Sequence, residues 1–189
     1  RCGCARTPAT RRRVTGFDEN MRNRKLNRLQ DYDYSREGYY FVTVCVQDKQ
    51  RIFGEIHHGE MALNKYGNII NDAWRWLGDQ YDYVALDECV IMPDHIHGII
   101  CINNARRGGS RTAPTIKPLG RLIGAFKTVS TKHINQMRNT PGMQLWQRSF
   151  YDHIIRSEED LNRVREYIAN NPLQWDGYLG NKNNAEKQT

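Results

Sequence analysis

The chain has 189 residues, of which 39% are hydrophobic and 10% aromatic, and its formal net charge is +7 at pH 7. This length and composition predict one globular domain with its own core, and they exclude a membrane-embedded protein because no apolar run reaches the length of a span. The excess of positive charge favours an anionic partner, with nucleic acid as the first class to consider.

Both ends of the chain differ in composition from its middle. Residues 1–20 contain five Arg against one Asp and one Glu, so they supply +3 of the charge, and they show no apolar periodicity. Their Cys-x-Cys pair is only half of a structural zinc site. We expect residues 1–20 to be a disordered or non-native basic extension, residues 21–178 to form the domain, and residues 179–189 to be a disordered tail.

The distribution of cysteines and the lack of a signal peptide predict a cytoplasmic protein. Three of the five cysteines lie inside apolar, strand-like runs, which favours reduced thiols over disulfides. The N-terminal residues contain no apolar h-region, which a secretory signal would need.

The first half of the domain predicts a strand, a helix and two further strands. Residues 39–47, "YYFVTVCVQ", are aromatic and β-branched, which is typical of a strand. Residues 64–81 carry an apolar stripe with helical spacing, formed by Ile70, Ala73, Trp74 and Leu77. Residues 83–92 and 95–102 are strand candidates, and Pro93 and Asp94 between them indicate a turn.

The second half predicts a helix, a strand and a last helix. Residues 118–137 repeat the helical stripe, and residues 143–156 favour a strand. The last helix begins after Ser157, which can cap it, and ends at Asn171 because Pro172 disfavours helix before it. The first six elements predict an α+β fold, a ferredoxin-like split β-α-β antiparallel sheet with helices on one face, and the seventh adds a C-terminal helix.

Two histidines stand one residue apart in "VIMPDHIHGII", residues 90–100. In an extended strand, residues i and i+2 share a face, so His95 and His97 project side by side while Ile96 points the other way. Two neighbouring imidazoles can bind one cation. Two hydrogen-bonded histidines without a ligand are the alternative, and the spacing alone leaves both open.

The last helix places a tyrosine and an amide on a common face. Leu161, Val164 and Ile168 form its buried stripe, and Tyr167 and Asn171 lie together beside that stripe because they are four residues apart. Both side chains could face a site on the sheet. A tyrosine packed between helix and sheet, with its hydroxyl bonded to the backbone, is the alternative.

Basic residues cluster in and after the segment "ARRGGSRTAP", residues 105–114. The side chains that could hold nucleic-acid phosphates are Arg106, Arg107 and Arg111 in this predicted loop, and Arg121, Lys127 and Lys132 on the following helix. A solvated, charged surface without a ligand is the alternative.

Four sequence blocks carry a resemblance to a known family. "DYDYSREGYYFVTVCVQDKQRIFGEI", "PDHIHGII", "WQRSFYDHIIRSEEDL" and "YIANNP" follow one another in that order. Over residues 22–178 the chain resembles the HUH single-strand DNA transposases, most closely the REP-associated tyrosine transposases. The resemblance implies a ferredoxin-like fold and a nucleoid-associated bacterial protein that binds single-stranded DNA hairpins. It also implies a cut beside the hairpin by a tyrosine that becomes attached to the 5′ phosphate, and it leaves monomer and homodimer open.

The resemblance also implies roles for individual residues. His95 and His97 match the histidine pair of the metal site, which would hold Mg²⁺ or Mn²⁺ although imidazole by softness suggests zinc or another transition metal. Tyr167 matches the nucleophile of the terminal helix, and Tyr151 in "SFYDH" is a rival. Asn171 stands four residues after Tyr167, where the insertion-sequence relatives have a glutamine metal ligand. It is a candidate ligand because it keeps the amide oxygen, although on a shorter side chain than glutamine. His153 is a further candidate ligand.

Three function classes follow from these patterns. The first is a metal-dependent transposase that nicks and transfers single-stranded DNA through a phosphotyrosine. The second is a domesticated protein that binds nucleic-acid hairpins without cutting them, against which the presence of His95, His97 and Tyr167 argues. The third is a metal-dependent phosphodiesterase in which water replaces the tyrosine.

Overall fold

The structure is a computed structural model that describes residues 29, 31–103 and 116–186, with side chains up to residue 175. Its strands are β1 (Gly38–Cys45), β2 (Gly54–His57), β3 (Glu60–Leu63), β4 (Val84–Ile91), β5 (His95–Ile102) and β6 (Tyr151–Ile155). Its helices are α1 (Lys65–Gln80) between β3 and β4, α2 (Leu119–Met137) between β5 and β6, and α3 (Glu158–Glu186) after β6.

The central sheet has four strands in the order β4-β5-β1-β6. Every neighbouring pair in it is antiparallel. The path β1-α1-β4 interleaves with the path β5-α2-β6, which is the arrangement of a ferredoxin-like split β-α-β sheet. The fold predicted from the sequence is therefore confirmed, including the additional C-terminal helix.

The two faces of the sheet are covered by different helices because side chains alternate along each strand. Even-numbered residues of β1 and β5, such as Val42, Val44, Ile96 and Ile100, join the large core. Helices α1 and α2 close this core with residues such as Ile70 and Phe126. Odd-numbered residues build a smaller cluster with α3, formed by Phe41, Ile99, Ile155, Leu161, Val164 and Ile168. Helix α3 thus covers the face opposite to α1 and α2, and its predicted apolar stripe is confirmed.

A capping side chain and an ion pair fix the start of α3 and its place on the sheet. The Ser157 hydroxyl accepts a hydrogen bond from the backbone N–H of Asp160 at 3.2 Å, as its predicted capping role requires. The Arg165 guanidinium donates two hydrogen bonds to the Asp87 carboxylate on β4, at 2.9 and 2.6 Å. This pairing lowers the pKa of Asp87 and ties α3 to the edge of the sheet.

The hairpin β2–β3 is absent from the elements that we predict from the sequence. Its two strands have only four residues each, too short for alternation to stand out. The turn residues His58 and Gly59 both have positive φ, +53° and +78°, as a two-residue hairpin turn of the primed type requires. The His-Gly dipeptide was the signal that could have located this turn.

The predicted strand over residues 143–156 is wrong for its first half, because only Tyr151–Ile155 is a strand. Trp146 contributes an isolated bridge to Val46. The Lys127 ammonium binds the backbone carbonyls of Gln147, Arg148 and Ser149 at 2.7, 3.3 and 3.1 Å. The carbonyls of residues 147–149 are thus bound by a side chain and not by a neighbouring strand.

The predicted end of the last helix at Asn171 is also wrong, because α3 continues through Pro172 to Glu186. Its helical backbone therefore includes part of the stretch 179–189 for which we expect a disordered tail. A proline inside a helix removes one backbone hydrogen bond and bends the axis, which does not have to end the helix. Contacts beyond the proline offset that cost: Leu173 lies against Gly59 of the β2–β3 turn, and Trp175 lies against His95.

Candidate active site

The histidine pair lies on the α3 face of the sheet, at the start of β5. His95 and His97 share this face by strand alternation, and their Nε2 atoms are 3.0 Å apart. His97 is 5% exposed, and its ring stacks on Phe41 of β1 with a centroid distance of 5.5 Å. The sequence prediction that the two imidazoles stand side by side therefore agrees with the structure.

Each imidazole has a partner at its other ring nitrogen. Nδ1 of His95 pairs with the Asp94 carboxylate, which can only accept, so His95 is the donor. Nδ1 of His97 and the Thr43 hydroxyl form a hydrogen bond of 2.8 Å between neighbouring strands. These partners fix both rings so that the two Nε2 atoms face each other. Metal-binding histidines are commonly oriented in this way, by a hydrogen bond at the ring nitrogen that does not bind the metal.

The environment of His97 favours its neutral form. Burial, followed by repulsion from the neighbouring His95, lowers the pKa of His97 to about 3, although the Asp94 carboxylate acts in the opposite direction. A neutral imidazole keeps a lone pair for a cation. Two lone pairs facing each other repel unless a proton or a cation lies between them.

The residues present fit a divalent cation at this point. Two nitrogens 3.0 Å apart suit adjacent ligand positions on one ion with metal–nitrogen distances of about 2.1 Å. In the part of the chain that the structure describes, no group of three or more His, Cys, Asp or Glu side chains forms a larger cluster. Further ligands would have to be amide, phosphate or water oxygens.

Tyr167 approaches the histidine pair from α3. Its hydroxyl is 3.5 Å from Nε2 of His97, and its ring centroid is 5.3 Å from the imidazole centroid. The edge of its ring also packs on Phe41 at 5.9 Å. With 41% of its surface exposed, Tyr167 has one side held by the site and the other open to a substrate.

Asn171 occupies the next turn of α3 and is buried. Positions four apart on a helix share a face, so Tyr167, Asn171 and Trp175 follow one another along one side of α3. Tyr167 contacts His97, and the Trp175 ring lies 5.6 Å from the His95 ring. Asn171 therefore lies between two residues that contact the histidine pair.

Tyr151 lies two strands away from His97. In the register of the sheet His97 pairs with Thr43, and Thr43 pairs with Tyr151 on β6. Since neighbouring strands are about 4.8 Å apart, the two residues are separated by about 10 Å of sheet. His153 is also held elsewhere, because its Nε2 lies 2.8 Å from the Asp160 carboxylate.

Of the basic residues proposed for phosphate binding, those that the structure describes are not brought to the histidines. Arg106, Arg107 and Arg111 lie outside the described residues. Arg121 and Lys132 are exposed on α2, which covers the opposite face of the sheet. Lys127, on the same helix, instead binds the carbonyls before β6 and lies 5.6 Å from the Phe150 ring.

The family of the chain follows from comparison with known proteins. The family model described as "Transposase IS200 like" matches residues 38–171, a range that runs from β1 to Asn171 and includes both histidines and Tyr167. The chain belongs to the IS200-like transposases.

Two proteins of Haemophilus influenzae are similar to this transposase over most of its length. An uncharacterized protein of Haemophilus influenzae is 34% identical over 86% of this chain and 96% of that protein. A second Haemophilus influenzae protein, named as a REP-associated tyrosine transposase, is 27% identical over 78% of this chain and 76% of its own length. The predicted resemblance to this group is therefore confirmed.

A solved structure supports the fold of the transposase. The structure of a REP-associated tyrosine transposase bound to a REP hairpin matches 78% of this chain and 73% of that one, with a TM-score of 0.56 and 16% identity. At this identity the likeness shows the fold alone.

None of the helices in the described ranges combines the length and apolar character that a membrane span needs.

Four contacts of the candidate site were not predicted from the sequence. Thr43 and Asp94 each hold a histidine, but a threonine in a strand and an aspartate in a turn have structural roles so often that neither is a signal. Trp175 and Arg51 meet at 5.5 Å beside His95. The eight-residue spacing between Tyr167 and Trp175 was a usable signal only if the helix was expected to continue past Pro172.

Proposed function

We propose that this transposase nicks and rejoins single-stranded DNA beside hairpins of the REP type, through a covalent bond between Tyr167 and a 5′ phosphate. The observation that carries the proposal is the approach of the Tyr167 hydroxyl to within 3.5 Å of Nε2 of His97, which itself lies 3.0 Å from Nε2 of His95. The proposed nucleophile and the proposed pair of metal ligands thus lie next to each other, and the exposed side of Tyr167 is open to a substrate.

His95 and His97 would hold the divalent ion, Mg²⁺ or Mn²⁺, with the side-chain oxygen of Asn171 as a further ligand. When bound, the ion would neutralise charge on the phosphate oxygens and polarise the P–O bond. Asp94 and Thr43 keep the two rings oriented toward it. The mixture of nitrogen ligands and phosphate oxygens suits Mn²⁺ better than Mg²⁺, which prefers oxygen alone.

Tyr167 would supply the attacking oxygen. A bond forms between its phenol oxygen and phosphorus while the bond from phosphorus to the 3′ oxygen breaks; the phenol loses a proton and the 3′ oxygen gains one. The number of phosphate ester bonds stays constant, so a 3′ hydroxyl can reverse the step and join strands without another energy source. The open side of Tyr167 gives a single strand access to this oxygen.

The DNA partner would be held mainly by charge outside this point. We propose that Arg106, Arg107 and Arg111, with Arg121 and Lys132, contact phosphates of the hairpin stem, whereas the carbonyl contacts of Lys127 give it a structural role. The chain would act in the bacterial cytoplasm on nucleoid DNA, as a monomer or a homodimer. The solved relative with its REP hairpin supports the choice of a hairpin over an extended strand.

The experiment uses labelled single-stranded hairpins from repeats that flank the gene, incubated with the protein and Mg²⁺ or Mn²⁺ and separated on a denaturing gel. We expect a labelled band with the mass of a protein-DNA adduct. A free cut product without an adduct would assign the reaction to water, and binding in a native gel without any cut would assign the protein to hairpin binding alone. Either result would contradict the proposal.

A further inference from the structure

A pocket lies beside His95, between the β2–β3 hairpin, the turn before β5 and helix α3. Its volume is about 580 Å³, within the range of about 300–1,000 Å³ that is usual for ligand sites. The lining includes Arg51, Glu55, His57, Pro93 and Trp175. The pocket thus adjoins the candidate metal ligands through Trp175, whose ring contacts the His95 ring.

An aromatic ring and a cation meet in this pocket. The Trp175 indole is partly exposed, lies 5.6 Å from the His95 ring, and has the Arg51 guanidinium carbon 5.5 Å from its centroid. Arg51 is exposed and forms no ion pair with any carboxylate among the described residues. Its positive charge is therefore available to an anion that enters the pocket.

The continuation of α3 past Pro172 places the indole there. Leu173 lies so close to Gly59 that a Cβ atom on this glycine would overlap with the leucine side chain. The positive φ of Gly59, +78°, also favours a glycine at this turn. This contact holds α3 on the β2–β3 hairpin two residues before Trp175, which lines the pocket.

We propose that this pocket binds an unpaired nucleotide adjacent to the phosphodiester that is cut, with its base stacked on Trp175 and its phosphate paired with Arg51. Aromatic side chains stack on any base, and guanidinium groups pair with phosphates. Glu55 is the one acidic residue of the lining, and its carboxylate lies 3.5 Å from the His57 imidazole. Because a carboxylate would repel a phosphate, the base of the nucleotide faces Glu55 and the phosphate faces away from it. The inference rests on the proposed function, because it takes the histidine pair as the place of cutting.

The test compares two single-stranded probes that differ only in their bases. One is a short oligothymidylate, and the other is an abasic deoxyribose-phosphate chain of the same length. Binding of both to the full chain is measured by fluorescence anisotropy with a chelator present, so that cutting does not contribute. The variants are Trp175→Ala, Trp175→Phe and Arg51→Ala, with Trp76→Ala on α1, across the sheet, as the matched control.

Loss of the indole should affect only the probe that carries bases. We expect Trp175→Ala to weaken oligothymidylate binding roughly 5- to 100-fold, to leave the abasic probe unchanged, and to be largely rescued in Trp175→Phe. Arg51→Ala should weaken both probes, and Trp76→Ala neither. Unchanged oligothymidylate affinity in Trp175→Ala, or an equal loss on both probes, would overturn the inference.

The outcome is separable from that of the proposed function. A protein-DNA adduct together with no difference between the probes would remove the nucleotide pocket and keep the cutting reaction. A clear difference between the probes without any adduct would keep the pocket and remove the covalent cut.

Discussion

The two faces of the central sheet carry different kinds of side chain although the same strands build both. The face under α1 and α2 is closed by fully buried apolar residues such as Val42, Ile96 and Ile100. The face under α3 has a smaller apolar cluster and leaves the histidine pair and Tyr167 beside it. The first face therefore supplies most of the core, and the second carries the groups that can do chemistry.

Strand β5 shows how the two tasks are separated. Ile96 and Gly98 face the core, while His95, His97 and Ile99 face α3. Because side chains alternate with a period of two, residues next to each other in sequence lie on opposite sides of the sheet. Substitutions on one face should change stability, and substitutions on the other should change DNA chemistry with the fold retained.

The largest expected effect is the loss of one imidazole from the α3 face. We expect His97→Ala to abolish adduct formation and to leave hairpin affinity close to that of wild type, because binding depends on phosphate contacts elsewhere. Gel assays of cutting and of binding measure the two effects separately. His153→Ala is the matched control on the same face, and it should keep activity; an active His97→Ala protein would contradict the metal site.

On the core face, a substitution at Gly98 should change stability. A Cβ atom at this position would overlap with the Trp74 indole, so Gly98→Ala should lower the free energy of unfolding by about 1–3 kcal/mol. Gly124→Ala in α2, where a Cβ meets open space, should instead raise it by about 0.5–1 kcal/mol. Urea unfolding measures the free energy of unfolding of both variants. Equal values for Gly98→Ala and Gly124→Ala would show that the Trp74 indole does not restrict position 98.

A smaller effect on chemistry is expected from Thr43, which positions His97 from the neighbouring strand. Thr43→Val keeps the shape and removes the hydroxyl, so adduct formation should slow by roughly 10- to 100-fold at limiting Mn²⁺. Thr43→Ser should restore most of the rate. Thr128→Val removes a hydroxyl that donates to the Gly124 carbonyl within α2, and it should leave the rate of adduct formation unchanged. A Thr43→Val protein with full rate and unchanged dependence on Mn²⁺ would rule out the positioning role.

A further expected effect is a dependence of stability on pH that comes from the α3 face. The pKa of His97 is lowered to about 3 in the folded chain, against about 6.5 in the unfolded chain. Below about pH 6.5 His97 binds a proton in the unfolded chain but not in the folded chain. The free energy of unfolding should therefore fall as pH decreases, by up to about 1.4 kcal/mol per pH unit. Urea unfolding of wild type and His97→Gln at pH 7 and pH 5 would measure this, and equal losses in the two proteins would contradict it.

The same division of the sheet explains what could be predicted from the sequence. Alternation in β5 and the helical stripes of α1, α2 and α3 are local patterns, and they were sufficient for the fold and for the pairing of His95 with His97. The hydroxyl of Thr43 and the carboxylate of Asp94 acquire their roles only through contacts between elements. Trp175 was not predicted because Pro172 indicated the end of the helix, and the contacts of Leu173 with Gly59 and of Trp175 with His95 lie between elements that are far apart in the sequence.

The measurement that tests the central claim most directly is trapping of the covalent adduct with the two tyrosine variants. Tyr167→Phe removes only the phenol oxygen and keeps the ring's packing on Phe41 and His97, so hairpin affinity and stability should stay near wild type while the adduct disappears. Tyr151→Phe changes the rival hydroxyl, about 10 Å of sheet from His97, and should still form the adduct. An adduct with Tyr167→Phe and none with Tyr151→Phe would contradict the account and move the nucleophile to β6.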